Sequence, residues 1–460
     1  MFPLPAYRGQ TVGVLGLGPQ GLAVAEALIE SGATVIAFDR SGGVGAHTDV
    51  QMRRPTDWPM DQLSAVVIAD GDRRGLALTL VDRAAAAGVA VLTDLDLFSQ
   101  SIDALPPEER PTVIAVTGAA GKSVTVSIIA HILSELGRPV SVGGPIGSPF
   151  MDMAAPSKAM TYILELPVRR LSIARDFKPN IAISLSVAGL LDPDQIQMAL
   201  RSLLKVFKSQ GPEDRAIIGV DDALGQELCT MLRSGQCPGA GTGTIIPVSG
   251  EAALSHGIFV LGGTAYSAHK RKTQPLGNFS RAPAFVGSHL NQDAAAAIAA
   301  CLSFDIAPAL IIKALHSYKG LKGRFECLGS VGPVMFIDDS FASSTAAAAR
   351  AIHACPDVFW IGSDAHAPKK GSQVPGSVSS VHGAYLIGDS TDDDSVTCHT
   401  GLADAVAAAY RDATKLAAQD PSAAPVILYS PGLPFEMTGI GPNDFRSVVQ
   451  SHMDIEARYA

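Results

Sequence analysis

The chain reads as α/β throughout, in three domains: a Rossmann-like N-terminal domain over 1–107, a central P-loop ATPase-like domain over 108–318 and a C-terminal Rossmann-like α/β domain over 319–460. Three observations carry this. Short β-branched runs alternate with helical stretches from end to end, as mostly parallel sheets require. Two strand-to-helix turns are glycine-rich, Gly16-x-Gly18-x-x-Gly21 near the start and Thr117-Gly-x-x-Gly-Lys-Ser123 further in. Of 460 residues, 47% are hydrophobic and 17% charged, a composition that buries several cores and does not stay disordered.

Taken in order, Thr11–Leu15 is a strand running into the first glycine turn. A helix follows from Leu22 to Ser31, and Thr34–Asp39 is a second strand ending on an acid. This is a βαβ unit with Asp39 about 20 residues past the turn, where a ribose hydroxyl would sit. Taken alone it describes a dinucleotide oxidoreductase. The same turn also serves a UDP diphosphate, or merely a tight strand–helix connection. Strands Ala65–Ala69 and Val89–Leu92, around a helix from Leu76 to Ala87, complete the domain. Pro106-Pro-Glu-Glu-Arg-Pro111 breaks both helix and strand and marks the first linker.

The second turn follows the buried strand Val113–Val116, and Lys122 and Ser123 then open the apolar run Val124–Leu136. Backbone N–H groups of such a loop point at an anion, and the helix dipole adds to the attraction. Gly118 and Gly121 let the backbone approach phosphate, Lys122 reaches terminal phosphates, and the Ser123 hydroxyl suits Mg²⁺. The spacing is a shortened Walker A loop without its leading glycine; a glycine turn beside an exposed lysine is the plainer alternative. Strands Met160–Glu165, Ile181–Leu185 and Arg215–Val220 follow, with a helix at Gln195–Lys208. Gly, Thr and Val in short alternating segments from Gly235 to Lys272 imply a small antiparallel addition, and His269-Lys-Arg-Lys272 reads as a solvated loop or hairpin end. An alanine-rich helix covers Asn291–Leu302. The third pattern has strands Val334–Ile337, Val358–Ile361, Ala384–Ile387 and Val426–Tyr429, with helices Ser344–His353 and Leu402–Leu416 between them.

Composition narrows the partners. A net charge of −9 argues against nucleic acid. No apolar run is long enough to span a bilayer, and the first residues lack the layout of a signal peptide. Six scattered cysteines without a CxxC pair indicate neither a zinc site nor a disulfide framework. A cytoplasmic monomer with a nucleotide ligand is expected, and protein partners stay open.

Further segments run in one order almost end to end: Gly144-x-Ile-Gly147, Leu164-Glu-Leu166, Gln210-Gly-Pro-Glu-Asp-Arg-Ala-Ile-Ile-Gly-Val-Asp-Asp222, Gly287-Ser-His289, Gly320-Leu-Lys-Gly-Arg324-Phe-Glu326, Phe336-Ile-Asp-Asp339-Ser-Phe-Ala342 and Ser430-Pro431. In these the chain resembles the Mur ligases, and within them the branch that adds D-glutamate to UDP-N-acetylmuramoyl-L-alanine in peptidoglycan precursor synthesis. The resemblance implies that ATP phosphorylates a carboxylate and an incoming amine attacks the acyl phosphate, so cations must be held against developing charge. It implies ATP contacts from Thr117, Gly118, Ala119, Ala120, Gly121, Lys122, Ser123, Val124, Arg324 and Asp339. It further implies catalytic roles for Lys122 and Glu165 and a first Mg²⁺ on Ser123 and Glu165. A UDP-muramoyl precursor would lie against Gly16, Leu17, Gly18, Pro19, Gln20, Asp39 and Arg40.

Elsewhere the chain departs from the family pattern. Leu191 and Leu203 stand where the resemblance implies the histidine and carbamylated lysine of a second Mg²⁺. Leucine ligates no hard cation, so only the first Mg²⁺ is expected. Ala119-Ala120 replace Thr-Asn, Pro145 an asparagine, Pro167-Val-Arg-Arg170 a Ser-Ser-Tyr-Gln, Gly323 a histidine and Phe341 a lysine. Ser430-Pro-Gly-Leu-Pro434 replaces a serine-rich segment, and Ala367 a pocket lysine, with Lys369 and Lys370 nearby. Each missing donor or ligand withdraws transition-state stabilisation. The expectation is a nucleotide-binding homologue with reduced or no ligase activity. An active ligase with a rearranged site, using Lys205, Arg169 or Lys369, is the alternative, and a dinucleotide oxidoreductase the third reading.

Overall fold

The computed structural model describes residues 2–40, 49–69, 76–175, 177–185, 193–235, 241, 243–282, 284–285, 290–342, 345–363, 381–388, 397–433, 438–441 and 443–459. Its architecture is α/β, as the alternating pattern requires, and the chain forms two compact units. One comprises Met1–Val248 with Ala296–Ile306, the other Ser249–Ala295 with Ala307–Ala460.

In the first unit, β1 (Thr11–Leu15), β2 (Thr34–Phe38), β3 (Gln51–Met52), β4 (Leu63–Ile68) and β5 (Ala90–Leu92) form a parallel sheet in the order β3-β2-β1-β4-β5. This is the Rossmann order, and the glycine turn after β1 lies at its switch point. The helices are α1 (Pro19–Glu30), α2 (Leu76–Ala86) and α3 (Asp94–Asp103). A capping box starts α3: the Thr93 N–H donates to Asp96 Oδ2 at 2.7 Å, and the Asp96 N–H to Thr93 Oγ1 at 3.3 Å.

A second parallel array comprises β6 (Thr112–Thr117), β7 (Val140–Gly143), β8 (Thr161–Glu165), β9 (Ile181–Ser184), β10 (Arg215–Gly219) and β11 (Thr244–Ser249), ordered β11-β10-β9-β6-β8-β7. Its helices are α4 (Lys122–Glu135), α5 (Val168–Ile173), α6 (Pro193–Lys208) and α7 (Ala223–Ser234). Flanked by β8 and β9, β6 buries Val113, Ile114, Ala115 and Val116, the unbroken apolar run of a strand covered on both faces.

The two sheets share one core. On α3, Phe98 meets Phe2 at 5.1 Å between ring centroids, Phe150 at 6.1 Å and the edge of Tyr162 at 5.4 Å. Burying each such side chain is worth about 1.5–3 kcal/mol. Polar contacts cross the same seam. Arg170 on α5 pairs with buried Asp94 at 3.3 Å, and the Arg175 N–H donates to Asp96 Oδ1 at 2.7 Å.

The expected antiparallel addition begins one strand later than its composition implied, because β11 pairs with β10 in parallel register. The second unit holds the antiparallel strands β12 (Gly257–Leu261), β13 (Thr264–His269) and β14 (Lys272–Asn278). His269 opposes Lys272, so Lys270 and Arg271 form the two-residue turn, at φ of 49° and 66°. The basic run is therefore a hairpin end. Both positive φ values describe a type I′ turn, which Asn-Gly fills without strain. Replacing Lys270-Arg271 by Asn-Gly is expected to raise stability by about 1 kcal/mol. Urea denaturation would check this, and a lower midpoint would contradict it.

The third sheet is β15 (Glu326–Val331), β16 (Val334–Asp338), β17 (Asp357–Ser363), β18 (Val381–Ile387), β19 (Thr397–His399) and β20 (Pro425–Tyr429), ordered β15-β16-β20-β17-β18-β19. Only β15 runs antiparallel to its neighbour. Side chains alternate between two cores. Phe336, Phe359, Ile361, Ile427 and Tyr429 face one way, with Val406, Ala409 and Phe445. Ile337, Val358, Trp360 and Leu428 face the other, with Ile352. The period of two explains why these strands read as continuous apolar runs.

Candidate functional site

The central loop is built as the strand–turn–helix pattern requires. Gly118 adopts φ 134° and Gly121 φ 80°, the latter in the left-handed region where it caps α4. A Cβ at Gly118 would press on Leu185 at 3.0 Å, so the backbone crosses the sheet end only without a side chain there. Lys122 Nζ donates to the carbonyls of Gly118 at 2.9 Å and Ala119 at 3.1 Å, spanning the loop. Ala119 and Ala120 bring no side-chain donors, so the loop's polarity lies in its backbone, Lys122 and Ser123.

Glu165 ends β8 opposite Val116 of β6, which carries its carboxylate to the first turn of α4. There Ser123 Oγ lies 3.0 Å from Glu165 Oε1 and 3.1 Å from Oε2, both residues buried. Gly144, at φ 111°, is needed for this placement, since a Cβ on it would fall 2.5 Å from the Glu165 carbonyl. Sequence spacing had marked Gly144 only as part of a motif. Thr117 Oγ1, Thr125 Oγ1 and Ser184 Oγ are buried at this end of the sheet, without hydrogen-bond partners among the described residues. Thr117 and Ser184 are register partners on β6 and β9. Buried hydroxyls of this kind are ordinarily satisfied by water or ligand. Among the described residues no three His, Cys, Asp or Glu side chains converge on one point. A cation held here would take its remaining oxygens from a bound phosphate or water, as Mg²⁺ commonly does, and the hydroxyl–carboxylate pair fits that donor chemistry.

At the N-terminal turn the Leu17 N–H donates to Asp39 Oδ2 at 2.7 Å. Gly16 sits at φ 87°, Gly18 caps α1 and Pro19 occupies its first turn. A carboxylate thus already takes a loop amide that a diphosphate would use, and proline offers none. Gln20 Oε1 is a buried acceptor without a partner among the described residues, while Arg40 is exposed.

In the second unit, Asp339 follows β16 and ties three segments together. Its Oδ1 accepts from the Phe325 N–H at 3.1 Å, its Oδ2 from Ser430 Oγ at 2.8 Å, and its own N–H donates to the Tyr429 carbonyl at 2.8 Å. Burial pushes its carboxyl up to about 7, against the opposing pull of Ser430, Arg324 and the Phe325 N–H. The ordinary value is 3.8. Between these values the folded state binds more protons than the unfolded one, so stability falls as pH rises from 4 through 7. Asp339→Asn keeps an acceptor for Phe325 and removes the titration. Its Tm is expected to exceed that of the wild type at pH 8, reflecting a stability difference on the order of a few kcal/mol, with the gap closing below pH 4. Thermal melts across that range check the slope, and parallel profiles would contradict it.

Arg324 Nη1 donates to the Phe341 carbonyl at 3.0 Å. The positions that depart from the pattern are occupied as follows. Leu203 is fully buried in the core of the first unit. Lys205 Nζ lies 3.3 Å from the Ala174 carbonyl after α5. Arg170, besides its ion pair, stacks over Phe150 at 5.1 Å. Leu191, Gly287, Ser288, His289, Ala367, Lys369, Lys370, Pro434 and the Arg169 side chain lie outside the described residues.

No protein-family model matches the chain. Among curated proteins it is 33% identical over 440 residues to the UDP-N-acetylmuramoylalanine–D-glutamate ligase of Caulobacter sp. (strain K31), covering 90% of each chain. The enzyme of that name from Brucella abortus (strain 2308) is 31% identical over 455 residues, covering 94% of this chain and 92% of the relative. Among solved structures, the MurF ligase of Thermotoga maritima in complex with ADP superposes with a TM-score of 0.53 at 16% identity, over 98% of both chains. That likeness establishes a shared three-domain fold, and the relatives displace the oxidoreductase reading of the N-terminal turn. With near-complete coverage of these relatives, the chain belongs to the Mur ligases, in the family of the UDP-N-acetylmuramoylalanine–D-glutamate ligases.

Proposed function

We propose that this chain binds ATP but has reduced or no capacity to join D-glutamate to UDP-N-acetylmuramoyl-L-alanine. The observation that carries the reading is Leu203. It lies wholly within the apolar core, where the resemblance implies a carbamylated lysine. The nearby cations support it: Lys205 is directed at the Ala174 carbonyl, and Arg170 is engaged by Asp94 and Phe150. Against this loss stands the retained half, Lys122 across the phosphate loop and Ser123 against Glu165.

In this reading the domains are 1–107, 108–318 and 319–460. ATP contacts residues 117–124 with Arg324 and Asp339, and a UDP-muramoyl precursor contacts 16–20, Asp39 and Arg40. Ser123 and Glu165 would hold one Mg²⁺, which when bound supplies positive charge against the phosphates. The Lys122 amine would replace its loop carbonyls by phosphate oxygens, and the loop N–H groups would orient the nucleotide. The chain acts as a cytoplasmic monomer; no described helix is long and apolar enough to cross a membrane.

The decisive experiment pairs ATP calorimetry with ADP release in the presence of UDP-N-acetylmuramoyl-L-alanine and D-glutamate. Binding without substrate-dependent release is expected. Release requiring both substrates would establish the second reading, an active ligase with a rearranged site, which the intact Ser123–Glu165 pair favours.

A further inference from the structure

The geometry points to Phe341 as a positioning residue for Arg324, with Gly323 as the residue that admits its ring. This rests on the reading of Arg324 as a nucleotide contact. The Arg324 guanidinium lies over the Phe341 ring, 5.2 Å from its centroid, within the range of a cation–π attraction. Two hydrogen bonds lock the pair. Arg324 Nη1 donates to the Phe341 carbonyl at 3.0 Å, and the Phe341 N–H donates to the Gly323 carbonyl at 3.1 Å.

Gly323 adopts φ 65°, and a Cβ built on it would fall 2.6 Å from Phe341 Cδ2 and 2.7 Å from Ser340 Oγ. A side chain at 323 would therefore push the ring at 341 out of its present place. The two departures from the family pattern, Gly323 and Phe341, lie against each other. Phe341 remains 37% exposed, so burial alone contributes modestly and the contact with Arg324 is its distinctive interaction. An arginine held at its face and at one amine loses less rotamer freedom on closing over an anion, which favours binding.

The test is ATP binding by calorimetry to the full chain, with folding verified by thermal melts. Phe341→Leu, close in volume but without a π-face, is expected to weaken ATP roughly 5- to 10-fold. Phe341→Tyr is expected to bind as the wild type does, and Gly323→Ala to weaken ATP as Phe341→Leu does. In an Arg324→Ala background, Phe341→Leu should cost nothing further, a coupling that a merely structural role would not produce. ATP binding left unchanged by Phe341→Leu, or equal losses with and without Arg324, overturns the positioning role. A wild-type chain that binds no ATP overturns the nucleotide reading instead.

Discussion

Lys122→Ala is expected to weaken ATP binding by about 100-fold while leaving the thermal midpoint nearly unchanged. In the folded protein the amine donates to the Gly118 and Ala119 carbonyls. On binding it would exchange them for phosphate oxygens, and a hydrogen bond to a charged group is worth about 1.5–3 kcal/mol. Two such bonds, less the weaker carbonyl bonds they replace, still amount to about the 2.8 kcal/mol that a factor of 100 represents. The dependence is sharpened by Ala119 and Ala120, which contribute no side-chain donors to the loop. Backbone N–H groups and the start of α4 remain, so binding should weaken without vanishing. The amine is partly exposed and donates to carbonyls of its own loop, so little stability is at stake. Calorimetry on both proteins reads the effect, and equal affinities would show that residues 117–124 are not the nucleotide site.

The loop was legible from sequence because its chemistry is local. A β-branched run, two glycines that reach φ 134° and 80°, and Lys-Ser opening an apolar helix all lie within a dozen residues. The alternation of strands and helices was equally local, and all three glycine-marked or apolar βα patterns became sheets. What stayed hidden depends on residues far apart in the chain. No spacing rule tells that Phe98 packs on Tyr162, or that Arg170 seeks Asp94. Arg170 read as a lost polar contact, whereas the fold uses it to join two sheets. Gly323 and Phe341 read as two separate losses, and only the fold places a Cβ at 323 within 2.6 Å of Phe341 Cδ2. The strand Thr244–Ser249 was misplaced for a related reason. Alternating Gly, Thr and Val describe a strand but not its partner, and parallel pairing with β10 is a tertiary choice.

Leu203→Lys is expected to fail twice, losing stability and restoring no ligase activity. Leu203 has no solvent exposure and packs in the same core as Leu200, Val206 and Phe207. An uncompensated buried ammonium costs about 3–5 kcal/mol, a fall in Tm of roughly 10 °C. The core would relieve that cost by expelling the amine, which removes it from any site. A carbamate formed there would need cations facing it, and the amine of neighbouring Lys205 is turned to the Ala174 carbonyl. Leu203→Met provides the control: a volume-conserving apolar swap costs less than about 1.5 kcal/mol and leaves the Tm near that of the wild type. Melts in parallel with ADP release in bicarbonate, with both ligase substrates present, separate the outcomes. A lysine variant that keeps the wild-type Tm and gains substrate-dependent release would mean that position 203 borders a competent site, and that a single replaced residue had silenced it. The expected pair of failures would instead mean that the surrounding core has repacked around leucine, so that activity does not return by one substitution.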